Sequence, residues 1–145
     1  LQGGIIDLTC GMTGSAIPVP QAVKQALDAG VPLERLTLSS DGNGSMPKFN
    51  ENNELIGLTA AAPRYLYEEM LSIVKAGVLP FDKALQLITC NVADALKLED
   101  KGRIAVGKDA DLIVWNDDLT LNKVFARGRL MVDEGQAVVK GTFEN

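Results

Sequence analysis

The sequence predicts an α/β fold that gives way toward its C-terminus to a small all-β part, and three observations lead there. Up to about residue 98, short apolar runs alternate with segments of helical periodicity, the pattern of βαβ units packed as a parallel sheet with helices on it. From Gly102 onward, short apolar runs are separated only by polar, glycine-bearing turns. The run Glu99-Asp100-Lys101-Gly102 between the two patterns is polar, so two parts are expected, 1–98 and 99–145.

Residues 4–8 (Gly-Ile-Ile-Asp-Leu) read as a buried strand, and residues 10–15 as the loop that leaves it. A helix is expected over 20–29. Pro20 lies in its first turn, Val23, Ala26 and Leu27 share a face, and Gly30 stands at the C-terminal stop. Residues 36–40 form the next strand, completing a βαβ unit. Residues 45–57 are polar and rich in Asn and Gly, which predicts a long loop, and long loops in compact domains are often functional. The stripe Leu66, Met70, Ile73 and Val74 predicts a helix over 61–76 that stops at Gly77. Another helix is expected over 81–89 behind Pro80, and Asn91 is placed to cap a short helix through Leu96. In the β part, 110–115 is a strongly apolar strand that places Trp115 in the core. Residues 124–126 and 130–132 form a hairpin, and 133–135 turn the chain into a last strand at 137–139.

A net charge of −5 argues against nucleic acid or an anionic membrane surface as partner, since both require a basic footprint. No apolar stretch approaches the roughly 20 residues that span a bilayer. The two cysteines, Cys10 and Cys90, lack metal-type spacing and read as buried thiols in a reducing, cytoplasmic compartment. The chain contains no histidine. It therefore cannot by itself build the His-rich site of most catalytic zinc enzymes, or a Ser-His or Cys-His nucleophile pair. The strand-like start at Leu1, without an initiator Met, suggests that sequence is missing upstream.

The sharpest site is Ser39-Ser40-Asp41-Gly42-Asn43-Gly44-Ser45. Asp41 is a carboxylate at the C-terminal end of a predicted strand, followed at once by a Gly-rich loop. In barrels of parallel strands that rim gathers loops from several strands and hosts the active site. A carboxylate there can bind a metal through hard oxygen and move a proton to or from activated water. An ordinary Asp-Gly turn accounts for the same residues, and the pattern alone leaves both readings open. Ser45 offers a hydroxyl to a substrate group near Asp41 or to solvent. Arg64 and Tyr65 read as surface and packing residues, and Asp109 and Asp111 as turn residues rather than a metal pair.

The C-terminal run Lys101-Gly102-Arg103-Ile104 … Gly107-Lys108-Asp109-Ala110-Asp111-Leu112-Ile113-Val114, with Asn91-Val92-Ala93 before it, resembles the closing segment of the metal-dependent amidohydrolase superfamily. The run Leu38-Ser39-Ser40-Asp41-Gly42-Asn43-Gly44-Ser45-Met46-Pro47 resembles the isoaspartyl (β-aspartyl) dipeptidase family within it. The resemblance implies the last strands and helices of a (β/α)8 TIM barrel over 1–98 and part of a small β-sandwich over 99–145. It implies hydrolysis of the β-aspartyl peptide bond of a dipeptide, with two zinc ions in the intact enzyme. Asp41 then matches the family's last-strand aspartate, both metal ligand and catalytic proton carrier, and Ser45 matches the serine that holds a substrate carboxylate. The family's metal-binding histidines, carboxylated lysine and main substrate arginines belong to earlier strands, so this piece alone is expected to be inactive. Two parallel strands without neighbours leave unpaired edges, so pairing with the missing N-terminal part, or a homo-oligomer, is expected. A dihydroorotase-like or deacetylase-like amidohydrolase is the alternative, and a non-catalytic binding or structural domain the alternative from another class.

Overall fold

The computed structural model describes residues 3–11 and 17–141. The chain divides into two compact units, Leu1–Lys97 and Leu98–Asn145.

In the first unit, β1 (Ile6–Thr9) and β2 (Leu36–Ser39) pair in parallel, Ile6 opposite Leu36 and Leu8 opposite Leu38. Between them runs α1 (Val19–Asp28), followed by a single 3-10 turn, Leu33–Arg35. Alternation along paired strands gives this small sheet one apolar face (Leu8, Leu36, Leu38) and one polar face (Asp7, Thr9, Thr37, Ser39). Helices α2 (Tyr65–Lys75), α3 (Phe81–Gln86) and α4 (Cys90–Leu96) complete the unit. Leu36 and Leu38 join Val23, Met70, Ile73, Ala84, Leu87 and Cys10 in one buried core. Both long helices end in the same way. Gly30 donates to Leu27 O and Val31 to Ala26 O, and Gly77 donates to Val74 O and Val78 to Ile73 O. Each is a Schellman stop that needs a left-handed residue, supplied by Gly30 (φ +81°) and Gly77 (φ +68°).

Asn91 departs from its expected role as a helix cap. It lies inside α4, 4% exposed, and its side-chain amide donates to Leu33 O (2.8 Å) and Leu36 O (2.9 Å). Leu38 N–H donates to Leu87 O (3.0 Å), so the edge of β2 away from β1 is satisfied by the segment that runs into α4. The pull of the buried Leu36 carbonyl and the half-buried Leu33 carbonyl outweighs capping here, because a buried acceptor left unpaired costs about 1–3 kcal/mol.

The expected loop at 45–57 is instead a β-hairpin, β3 (Ser45–Phe49) with β4 (Leu55–Ala60), antiparallel from Ser45 opposite Ala60. The Asn-rich character belongs to its turn alone. Asn50 Oδ1 accepts from the N–H groups of Asn52 and Glu54, both at 2.9 Å, and Asn53 takes a left-handed φ of 60°. Pro47 is accommodated within β3, which among the described residues has a strand partner on one side only. The helix expected from residue 61 begins at Tyr65, because Ala61 is held by the hairpin and Ala62 and Pro63 form the turns before α2.

The second unit is a four-stranded antiparallel sheet in the order β5 (Leu112–Trp115), β6 (Leu121–Ala126), β7 (Arg129–Asp133), β8 (Gln136–Ala137). Its last strand is shorter than expected and begins one residue earlier. Arg127-Gly128 and Glu134-Gly135 are two-residue turns with positive φ at both positions, the form that suits the twist of paired strands. Trp115 is half-buried.

Candidate active site

Asp41 leaves the C-terminal end of β2. Cys10 N–H donates to Ser39 O (2.7 Å), which carries the parallel ladder to the end of the strand pair just before Asp41. The chain then turns sharply. Asp41 and Asn43 occupy the left-handed region (φ 46° and 64°), where only glycine sits without cost and Asp and Asn are the best tolerated others. Gly44 N–H donates to Asp41 O at 2.7 Å and closes the turn. Two more bonds fasten it to the far end of the hairpin, Asn43 N–H to Ala61 O (3.0 Å) and Ala61 N–H to Gly44 O (2.8 Å). Ser45 follows at once as the first residue of β3. Asp41 and Ser45 are both exposed, four residues apart on one clamped loop.

Asp7 is a residue that the sequence reading missed. Its carboxylate accepts from Thr37 Oγ1 (2.7 Å) and Ser39 Oγ (2.5 Å), on the polar face of the strand pair that leads to Asp41. The available signal was a charged residue inside an otherwise apolar run, Ile5-Ile6-Asp7-Leu8. Beside it, Cys10 is fully buried. Burial pushes its thiol up to about 12, with the carboxylates of Glu69 and Asp7 adding to the effect. Cys10 is therefore a protonated core residue at neutral pH, not a nucleophile. Cys90 is also a free thiol but only half-buried, unlike the expected pair of buried thiols.

Arg64 and Tyr65 pack and pair with their neighbours on α2. Arg64 Nε lies 3.4 Å from Glu68, and its guanidinium stacks 5.7 Å from the Tyr65 ring centre. The Tyr65 ring in turn fills the space at Gly11, where a Cβ would meet it at 2.3 Å. In the second unit, Asp109 and Asp111 converge on Lys101 Nζ at 2.7 and 2.5 Å. Asp111 also accepts the Arg127 N–H (2.7 Å), tying the start of β5 to the β6–β7 turn. Lys101, and then the Arg127 N–H, hold Asp111 below the usual carboxylate range. These aspartates are structural clasps.

Among the described residues, no three His, Cys, Asp or Glu side chains gather where they could hold a metal ion. Asp41 supplies one carboxylate and the chain no histidine, so the residues present do not by themselves make a metal centre. A groove of about 510 Å³ beside Ile5, Ile6, Val31, Pro32 and Arg35 lies at the other end of the strand pair and contains none of the candidates. No helix among the described residues is long and apolar enough to cross a membrane.

The model of the amidohydrolase family matches residues 18–135, most of the chain. This chain belongs to the amidohydrolase family. A solved β-aspartyl dipeptidase from Fervidobacterium islandicum AW-1, in complex with β-Asp-Leu dipeptide, is similar to 97% of the chain, with 31% identity and a TM-score of 0.80. Imidazolonepropionase from Anaeromyxobacter sp. (strain K) is 34% identical over 112 residues, 77% of this chain. Adenine deaminase 1 from Carboxydothermus hydrogenoformans is 28% identical over 104 residues, 70% of this chain. The chain spans 36% of that solved structure, and 22% and 17% of those two relatives. The α/β class expected from the sequence agrees with the observed elements and with these amidohydrolase neighbours.

Proposed function

We propose that this chain is part of a zinc-dependent β-aspartyl dipeptidase, contributing the last strands of its (β/α)8 barrel through residue 98 and part of its β-sandwich beyond. The observation that carries the reading is the likeness of nearly the whole chain, at 31% identity, to a dipeptidase solved with β-Asp-Leu. The placement of Asp41 supports it, since a carboxylate at the C-terminal end of a parallel strand is where such folds collect catalytic groups.

In this reading Asp41 is the general base and acid. As a water oxygen attacks the β-aspartyl carbonyl carbon, the carboxylate takes its proton. The C–N bond then breaks and Asp41 passes the proton to the leaving amine, so one carboxylate serves both halves of the reaction. Ser45 donates its hydroxyl hydrogen to a carboxylate of the dipeptide. Asp41 would be this chain's contribution to holding zinc, which would polarise the carbonyl and activate the water.

In this reading the chain works together with a portion that supplies histidines, and a homo-oligomer is part of the proposal. The resemblance to adenine deaminase and imidazolonepropionase favours a second reading, an amidohydrolase acting on a different C–N bond.

The test is turnover of β-aspartyl-leucine and of adenine by the assembled enzyme, this chain with the portion that supplies the histidines. Hydrolysis of the dipeptide, lost by a factor on the order of 1000 or more in Asp41→Asn, is expected. Adenine deamination without dipeptide hydrolysis would replace this reading with the second.

A further inference from the structure

We infer that Gly44 is the positioning residue for the Asp41 carboxylate: its bare Cα is the surface on which that carboxylate rests. A Cβ built on Gly44 would lie 2.6 Å from Asp41 Oδ2, 2.7 Å from Oδ1 and 2.7 Å from Cγ. All three distances are shorter than side-chain carbons tolerate, so at least one partner would have to move. The inference rests on the reading of Asp41 given above and adds what holds its carboxylate in place.

The backbone of the loop has little freedom to give way. Gly44 N–H is bonded to Asp41 O, Gly44 O to Ala61 N–H, and Asn43 N–H to Ala61 O, all within 2.7–3.0 Å. Residue 44 is therefore pinned to both the turn and the far end of the hairpin. Asp41 is pinned as well, at a left-handed φ of 46° between the end of β2 and that turn. Strained backbone of this kind persists where its surroundings over-determine it, and such positions concentrate in active sites. With both backbones held, the soft coordinate is the Asp41 side chain.

Gly44 itself is not in the left-handed region. Its φ therefore does not by itself require glycine. The three atoms that an added methyl group meets first all belong to the Asp41 carboxylate. This distinguishes Gly44 from Gly11, where a left-handed φ and the Tyr65 ring each disfavour a side chain. It also separates Gly44 from Gly42, where a Cβ would meet only Ser40 Oγ at 3.2 Å and Pro63 Cγ at 3.4 Å.

A double-mutant cycle between positions 41 and 44 tests this. Thermal unfolding of the full chain is compared for wild type, Gly44→Ala, Asp41→Gly and the double variant. Glycine at 41 removes the carboxylate and accepts the left-handed backbone. Because the group that yields is the free end of an exposed side chain, Gly44→Ala is expected to lower the midpoint by only about 1–2 °C in wild type and by nothing measurable in the Asp41→Gly background. A Gly44→Ala chain that fails to fold, with folding restored in the double variant, supports the same contact. An equal shift in both backgrounds, or a double variant that also fails to fold, overturns it.

The second readout is kinetic, on the assembled enzyme with β-aspartyl-leucine. Displacing a catalytic group by about 1 Å can cost a factor on the order of 100. Gly44→Ala is therefore expected to lower kcat by roughly that factor, with KM changed by less than about twofold. In the Asp41→Gly background it is expected to change nothing further. A wild-type kcat in Gly44→Ala overturns the positioning role. Absence of dipeptide hydrolysis by the wild-type assembly counts against the proposed function instead, while the unfolding cycle still decides the contact.

Discussion

The two units of this chain are ordered by different means. Every described residue that is buried lies in the first unit, where the apolar face of β1 and β2 is covered by α1, α2 and α3 around Leu36, Met70, Ile73 and Leu87. No described residue of the second unit is buried. That unit is a single sheet held by its strand ladders and by charged clasps, Lys101 with Asp109 and Asp111, and Lys123 with Asp133. A single layer has no second face to close upon, whereas sheet covered by helices makes a core. The unit that carries Asp41 is thus the one with an interior able to hold a strained loop in place.

The contrast should appear most strongly in core truncations. Leu36→Ala is expected to destabilise the first unit by about 2–5 kcal/mol in denaturant unfolding followed by helical circular dichroism. Leu130→Ala, at a half-buried position of β7, is expected to cost only about 1 kcal/mol. Equal losses would remove the distinction between the units. A smaller effect is expected at Asn91. Its replacement by alanine removes the side-chain donor to Leu33 O and Leu36 O, of which Leu33 O keeps the Leu36 N–H, and should cost about 1–3 kcal/mol, with the loss confined to the first unit.

The smallest effect lies in the clasp of the second unit and depends on pH. The folded-state value of Asp111 is lowered from its ordinary 3.8, first by the Lys101 hydrogen bond and then by the Arg127 N–H. A depressed carboxylate stabilises the fold fully above its ordinary value, and that contribution is lost as pH falls through the lowered one. Lys101 is raised above 10.5 by Asp109 and then Asp111, so its contribution is full below 10.5 and disappears as pH rises through the raised value. Trp115, the only tryptophan, lies in β5 and reports on this unit. Its fluorescence-detected midpoint should fall below about pH 4 in wild type, and Lys101→Met should flatten that fall. An unchanged acid limb in Lys101→Met would show that the clasp is not what stabilises the sheet.

Much of the first unit was legible because period and punctuation agree there. The stripe Leu66, Met70, Ile73, Val74 marks α2, and Gly30 and Gly77 mark two helix stops that the hydrogen bonds reproduce. The β3–β4 hairpin was not legible. Met46 is the one buried residue of its two strands, and every residue of β4 is exposed, the apolar Leu55, Ile56 and Leu58 included, so no apolar alternation marks a buried face there. Asn91 was misread because a cap depends on short-range sequence, whereas its partners Leu33 and Leu36 lie more than 50 residues away. At the candidate site, Asp41 was visible as a carboxylate ending a strand. The contact between its side chain and Gly44 was not, since a glycine kept for lack of space looks in sequence like any turn glycine. The loop residues 12–15, expected to leave β1, lie outside the described residues.

Zinc titration of the chain alone, and of the same chain in the assembled enzyme, asks most directly whether Asp41 is one ligand of a site completed by other residues. The expected result is no tight binding to the chain alone. The assembled enzyme should bind tightly and hydrolyse β-aspartyl-leucine, and Asp41→Asn should weaken both. Tight zinc binding or dipeptide turnover by the chain alone would contradict this, and would mean that a chain without histidine carries a complete site of its own.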